Sequence, residues 1–266
     1  MRIYVAGVGL AGPGLTGWRA SQPVLAGSAP YVHAATVVAT PALLPAAEGR
    51  RSGRPVKLAL GVAHEAFTHA AHDAGATPTV FTSSSGDGDN VHAILEILAS
   101  ANREVSPTRF HNSVHNAAAG YWSIAARSHA PSTSLCGYDA SFAAGLIEVA
   151  AQIEVDKNPV ALIAYDQPYP EPLHAKRPLA DCFAAAFIFT RERDEKTLAA
   201  LQIEIVRTHT TQATALTDPD LERIRAGIPA ARCLPLLAAI ARGGRESIVL
   251  DYVGGALLDL RVDACA

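Results

Sequence analysis

A chain of 266 residues, 49% of them apolar, holds enough hydrophobic material for a substantial buried core in one large domain or two small ones. Its 22 basic residues against 25 acidic ones leave a formal charge of −3, and no basic stripe interleaves with aromatics, which argues against a nucleic-acid partner. Cys136, Cys182, Cys233 and Cys265 lie far apart with no CxxC pair, which argues against a zinc ribbon, a redox motif or a disulfide framework and fits a reducing cytoplasm.

Arg2 to Val8 reads as a buried strand, followed by an irregular glycine-rich loop from Gly9 to Gly17 and a polar stretch of little legible structure reaching Pro55. The charged start and apolar middle of this opening also match the outline of a signal peptide. Its glycines and the β-branched Ile3 and Val5 favour a first strand, and no run approaches the roughly 18 apolar residues of a membrane span. From Val56 to Ala74 the positions Leu58, Leu60, Val62, Ala66 and Ala70 predict a helix, with Gly75 placed to cap its end.

Thr77 to Thr82 reads as a strand. The turn-rich Ser83 to Asn90 then offers a cap to a helix whose apolar positions Val91, Ile94, Leu95 and Leu98 share one face. An alanine-rich helix from about Ala117 to Ala126 leads to a short strand, Ser132 to Cys136, and to a second helix carrying Phe142, Leu146, Val149 and Ile153 and ending near Asp156. Between strand and helix the pattern implies a sharp elbow that presents Asp139. Such elbows expose a nucleophile and aim backbone N–H groups and a helix N-terminus at developing negative charge.

Val160 to Tyr165 predicts the next strand, then a proline-rich loop from Asp166 to Pro178, a doubly buried strand Phe183 to Thr190, and an alternating strand Leu201 to Arg207. Asp218 to Gly227 and Cys233 to Ala241 read as helices, and Ser247 to Val262 as a hairpin turning at Gly254-Gly255. Strands alternating with helices define an α/β domain with a mixed sheet.

Several motifs carry two readings. Gly7-Val-Gly-Leu-Ala-Gly12 satisfies a dinucleotide-binding pattern, but Pro13 and Gly14 stand where its helix would start and no acidic strand end follows, so a glycine-rich strand exit is preferred. His64 and His69 are five apart rather than the four that a zinc helix needs; His69 and His72 read as a solvated helix face, and His111 and His115 lie partly in a loop. Ser132 and Ser141 lack a GxSxG context and read as caps, and Cys136 as a buried structural thiol. The small residues Ala117 to Gly120 beside Tyr121 and Trp122 suit either close packing on a partner or packing within the chain.

Set beside its surroundings, the elbow resembles that of the β-ketoacyl synthases of thiolase-like fold. Arg2 to Pro13 is similar to their opening strand, Val80 to Gly86 to their glycine-bearing strand before an interface helix, Pro107 to Gly120 to the segment near their dimer interface, and Ala130-Pro-Ser132 to the triplet before their nucleophile. The resemblance runs over residues 1–190. It implies a thiolase-like α/β fold, mainly the N-terminal half of such a synthase with helices on both faces of a mixed sheet, in a single domain 1–266 whose residues 191–266 form a divergent extension ending in a hairpin.

Aligned on Pro131-Ser132, the family's catalytic cysteine falls on Asp139, and a carboxylate cannot form the acyl thioester. The two histidine segments of the family's second half have no counterpart, since His174 and His209 lack their contexts. The chain is thus similar to chain-length-factor-like subunits, including those of aryl polyene systems. What this implies is a cytoplasmic subunit in a heterodimer with a complete ketosynthase, which meets acyl carrier protein indirectly and has no cofactor, metal, nucleic acid or membrane span. Arg109, Phe110, Asn116, Tyr121, Trp122 and Tyr138 are its expected tunnel or interface residues. The alternative is a stand-alone hydrolase or decarboxylase using Asp139 as base or nucleophile.

Overall fold

The computed structural model describes residues 1–207 and 211–265. In chain order the elements are β1 Arg2–Gly12, β2 Leu15–Thr16, α1 Trp18–Leu25, α2 Ala46–Arg51, α3 Arg54–Ala70, β3 Thr79–Thr82, α4 Gly88–Ala99, α5 Pro107–Asn112 and α6 Ala117–Ala126. There follow β4 Ser132–Leu135, α7 Ser141–Asp156, β5 Val160–Asp166, β6 Phe183–Thr190, β7 Ala199–Val206, α8 Pro219–Gly227, α9 Leu234–Arg242, β8 Gly244–Asp251 and β9 Leu257–Ala264. The strands make one mixed sheet in the order β4-β3-β5-β6-β1-β7-β9-β8, with β2 folded back on β1. Only β4, β3 and β5 run parallel to one another.

β5 and β6, in the middle of this order, are buried at every residue, as their unbroken apolar runs require. Two hydrophobic cores result. One, under α7, α9 and α1, is filled by Phe142, Leu146, Leu237 and Trp18; the other, under α3 and α6, by Val62, Ala66, Phe67 and Trp122.

Helix α3 lies so close on β1 that a Cβ at Gly7 or Gly9 would run into the carbonyls of Ala66 and Val62. Glu65 and His69, one helical turn apart, complete the contact. Glu65 accepts the N–H groups of Leu10 (2.9 Å) and Trp18 (2.6 Å), and His69 Nδ1 accepts that of Val8 (3.3 Å), beside the register shift between Val5 and Gly7. The glycine motif and the His64 to His69 motif are therefore two sides of one helix-on-strand packing. His69 faces β1 and is not on a solvated face, because the irregular strand leaves an N–H that needs an acceptor.

Other boundaries also depart from expectation. β1 continues to Gly12 and turns into β2, so the loop read from Gly9 is mostly strand. The stretch before Pro55 contains α1 and α2, whose polar sequences hide their few buried positions, Trp18, Ser21, Leu25 and Gly49. α3 ends at Ala70, where Ala71 itself takes the left-handed conformation (φ 55°) in place of Gly75. No helix among the described residues is long and apolar enough to cross a membrane.

Helix α4 forms as expected, with Asp87 Oδ1 accepting the Asn90 N–H at 3.1 Å, but its apolar face finds no cover in this chain. Val91, Leu95 and Leu98 are 38%, 58% and 45% exposed. On the following segment Phe110 and Val114 are 70% and 50% exposed. Strand β4, at the end of the sheet, has only β3 as a neighbour.

Candidate functional site at the strand-to-helix elbow

After β4 the chain turns at Cys136 and Gly137, makes one 3₁₀ turn over Tyr138–Ala140 and enters α7. Tyr138 sits at φ 54°, a left-handed conformation that costs on the order of 1 kcal/mol for a residue with a side chain. Local hydrogen bonds hold it there. The Ala140 N–H donates to Gly137 O (2.9 Å), and the Ser141 hydroxyl accepts from the Gly137 N–H (3.1 Å) and donates to Tyr138 O (2.7 Å). Ser141, the first residue of α7, therefore braces the elbow with its hydroxyl and is not the cap of the helix, and Ser132 takes a hydrogen bond from Thr79 Oγ1 at 2.9 Å.

Asp139 stands at the elbow with both carboxylate oxygens engaged. Arg177 Nη2 donates to Oδ1 at 2.6 Å and Arg232 Nη2 to Oδ2 at 3.3 Å. The Arg177 guanidinium also lies 3.6 Å over the Tyr138 ring centre, and Arg232 Nη1 reaches Asp251 at 3.0 Å. One chain of charges therefore joins the loop after β5, the elbow, the 3₁₀ turn Pro229–Cys233 and the end of β8.

A second carboxylate fastens the same 3₁₀ turn. Asp166, the last residue of β5, is fully buried; its Oδ1 accepts from Ser84 N–H (2.8 Å), Ser84 Oγ (2.7 Å) and Ser83 Oγ (3.2 Å), and its Oδ2 from Ala230 N–H (2.8 Å). Burial pushes its pKa up from 3.8 to about 6, against the opposing pull of these hydrogen bonds. Neither Arg177 nor Arg232 stands out in the sequence, and Asp166 does so only as the start of a loop. A lone acid closing the apolar run Val160 to Tyr165 was the available signal for Asp166; the two arginines lie in a loop and a short turn and carry none.

Cys136 corrects its expectation: it lies just beyond β4 and is exposed, with Sγ donating to Ser84 O at 3.4 Å rather than to a base. The strand ends one residue before it, so nothing packs over the thiol. All four cysteines are free.

The remaining candidates do not converge on the elbow. Arg109, Phe110 and Asn116 are exposed on and after α5, and Tyr138 is 62% exposed. Tyr121 and Trp122 are buried in the chain's own core, Tyr121 donating to Asn112 Oδ1 (3.0 Å) and Trp122 stacking on Phe67 (5.2 Å between ring centres). His115 Nε2 lies 3.1 Å from Ser83 O, while His111 is exposed and edge-on to Tyr121. His174 is held in the loop by its backbone N–H to Pro170 O, and His209 lies outside the described residues. Among the described residues no group of three His, Cys, Asp or Glu side chains is arranged to hold a metal ion.

Residues 18–234 match the family model of the β-ketoacyl synthase N-terminal domain, and the chain belongs to that family. The match passes residue 190 and takes in α8 and the 3₁₀ turn that carries Arg232.

Among solved structures, the chain is similar to one in the complex of the ketosynthase ApeO with its chain length factor ApeC from Xenorhabdus doucetiae, at a TM-score of 0.74 and 20% identity over 98% of this chain and 99% of that one. It is similar also to a chain of the ishigamide ketosynthase/chain length factor (TM-score 0.73, 14% identity, all of both chains). A third likeness is to a β-ketoacyl synthase from Burkholderia phymatum (TM-score 0.68, 13% identity, all of both chains). At these identities the likeness is one of fold, the thiolase-like α/β fold. No curated protein matches the chain by sequence.

Proposed function

We propose that this chain is a non-catalytic, chain-length-factor-like subunit that pairs with a complete β-ketoacyl-acyl-carrier-protein synthase and shapes the acyl tunnel of the pair. The observation that carries this reading is the state of the elbow. The position that aligns with the family's cysteine holds Asp139, and both oxygens of its carboxylate are taken by Arg177 and Arg232. A carboxylate so engaged is neither a free base nor a ready nucleophile, and it cannot carry an acyl thioester.

Pairing is supported by what the chain leaves uncovered. The apolar face of α4, together with Phe110 and Val114, is exposed, and β4 offers an open sheet edge. Beside that edge runs a groove floored by small residues, Ala119, Gly120, Ser123, Ser132 and Ser134, where another backbone can approach closely. In this reading Arg109, Phe110, Asn116 and Tyr138 meet the partner or its acyl chain, while Tyr121 and Trp122 support that surface from within.

The complete subunit supplies the cysteine and histidines and receives the acyl carrier protein. The whole chain acts as one unit, in the cytoplasm, in fatty acid, polyketide or aryl polyene-type synthesis. Co-expression with the complete ketosynthase from its own genome neighbourhood tests the proposal: the two copurify as a heterodimer, and a stable monomer that binds no such ketosynthase overturns it.

A further inference from the structure

The arginines around Asp139 have a geometry that implies more than an occupied carboxylate. Arg177 and Arg232 come from segments far apart in sequence, are 17% and 21% exposed at the side chain, and approach one carboxylate from two sides. Each gives Asp139 a single Nη, and the Nε of both is buried without an acceptor in the chain. Arg232 has a second carboxylate in Asp251, whereas Asp139 is the one acid within ion-pair distance of Arg177 among the described residues.

We infer that Arg177 and Arg232 form a carboxylate-binding cradle at the elbow, and that Asp139 is its built-in ligand, a self-occupying plug. Two guanidinium groups converging on one point form a strong anion site because charge-assisted hydrogen bonds are roughly twice as strong as neutral ones. The start of α7 adds its dipole to the same spot. With Asp139 in place the cradle is closed to other acids. It also ties the loop carrying Arg177 and the turn carrying Arg232 to the elbow, so the plug orders both. This inference does not rest on the pairing proposal, since every group in it belongs to this chain.

Chemical rescue of the full-length chain provides the test. Asp139→Ala empties the cradle and lowers the melting temperature by roughly 2–4 °C, the scale on which one partly exposed ion-pair network acts in a chain of this size. Sodium acetate restores it, the gain rising with the logarithm of concentration above half-saturation, while sodium chloride at equal ionic strength does not. Wild type, with its cradle filled, and the double variant Asp139→Ala/Arg177→Gln gain nothing from acetate beyond what chloride gives. Acetate and chloride acting alike on Asp139→Ala, or acetate acting alike on all three proteins, overturns the inference. Should Asp139→Ala prove insoluble, Asp139→Asn carries the test through limited proteolysis of residues 167–181: faster cleavage than wild type, slowed by acetate but not chloride, is expected, and cleavage insensitive to acetate overturns it.

Discussion

The elbow follows directly on β4, yet it and the α4 to β4 face treat their side chains in opposite ways. At the elbow every carboxylate is matched: Asp139 by two arginines, Asp166 by four donors, and the strained Tyr138 by the hydroxyl of Ser141 and the guanidinium above its ring. On the other face Val91, Leu95, Leu98 and Phe110 stand in solvent, and β4 leaves its outer edge without a strand. The closed site and the open face are the two observations on which the pairing proposal stands. Each end of the contrast can be broken separately.

The largest effect is expected beneath the elbow. Leu146 of α7 is fully buried against the sheet, and Leu146→Ala leaves a cavity worth about 3 kcal/mol, readable as a lower urea midpoint with an unchanged slope. The exposed face of α4 should be indifferent to this change so long as the chain is folded.

Asp166 gives an effect of similar size that depends on pH. Its folded pKa of about 6 lies above the ordinary 3.8, so the stability it contributes is fully present below about pH 4 and is lost as pH rises through 6. That amounts to a difference of roughly 3 kcal/mol between the two ends of the window, at 1.36 kcal/mol per unit. Asp87 is raised by burial as well and acts in the same sense, whereas Glu222 and Glu246, held low by Arg225 and Arg242, act in the opposite one. The quantity to measure is therefore the difference in unfolding free energy between wild type and Asp166→Asn from pH 4 to 7. Wild type should lose ground steadily; a flat difference means that the four hydrogen bonds hold the carboxylate at its ordinary pKa.

The contrast also marks what the sequence could tell. Elements whose burial follows a simple period were legible: β5, β6, α7 and the closing hairpin fall within a residue or two of expectation at most ends, because alternating or continuous apolar runs dictate one packing. α1 and α2 were not, since their polar residues outnumber the few that turn inward. Of the site, Asp139 and its elbow were visible as a local pattern of proline, strand and helix. Its partners were not, because Arg177 and Arg232 meet it only through tertiary folding, 38 and 93 residues away along the chain. The same limit applied to α4, whose periodic face announced a helix but could not say whether this chain or another would cover it.

Leu95 tests the open side of the contrast with the smallest change to the chain itself. At 58% exposure on α4 it has little packing to lose, so Leu95→Glu should move the chain's own stability by no more than about 0.5 kcal/mol. If α4 is covered by a ketosynthase, the same change buries an unpaired carboxylate at the contact and weakens the pair at least ~10-fold, or about 1.4 kcal/mol, in a pull-down titration or by analytical ultracentrifugation. The converse variant is Asp139→Asn in the assembled pair, which removes the charge with the least change in side-chain size. If the proposed partner does the chemistry, product output stays unchanged. A pair that loses turnover in Asp139→Asn but tolerates Leu95→Glu would reverse the assignment, making the elbow the working site and the apolar face incidental.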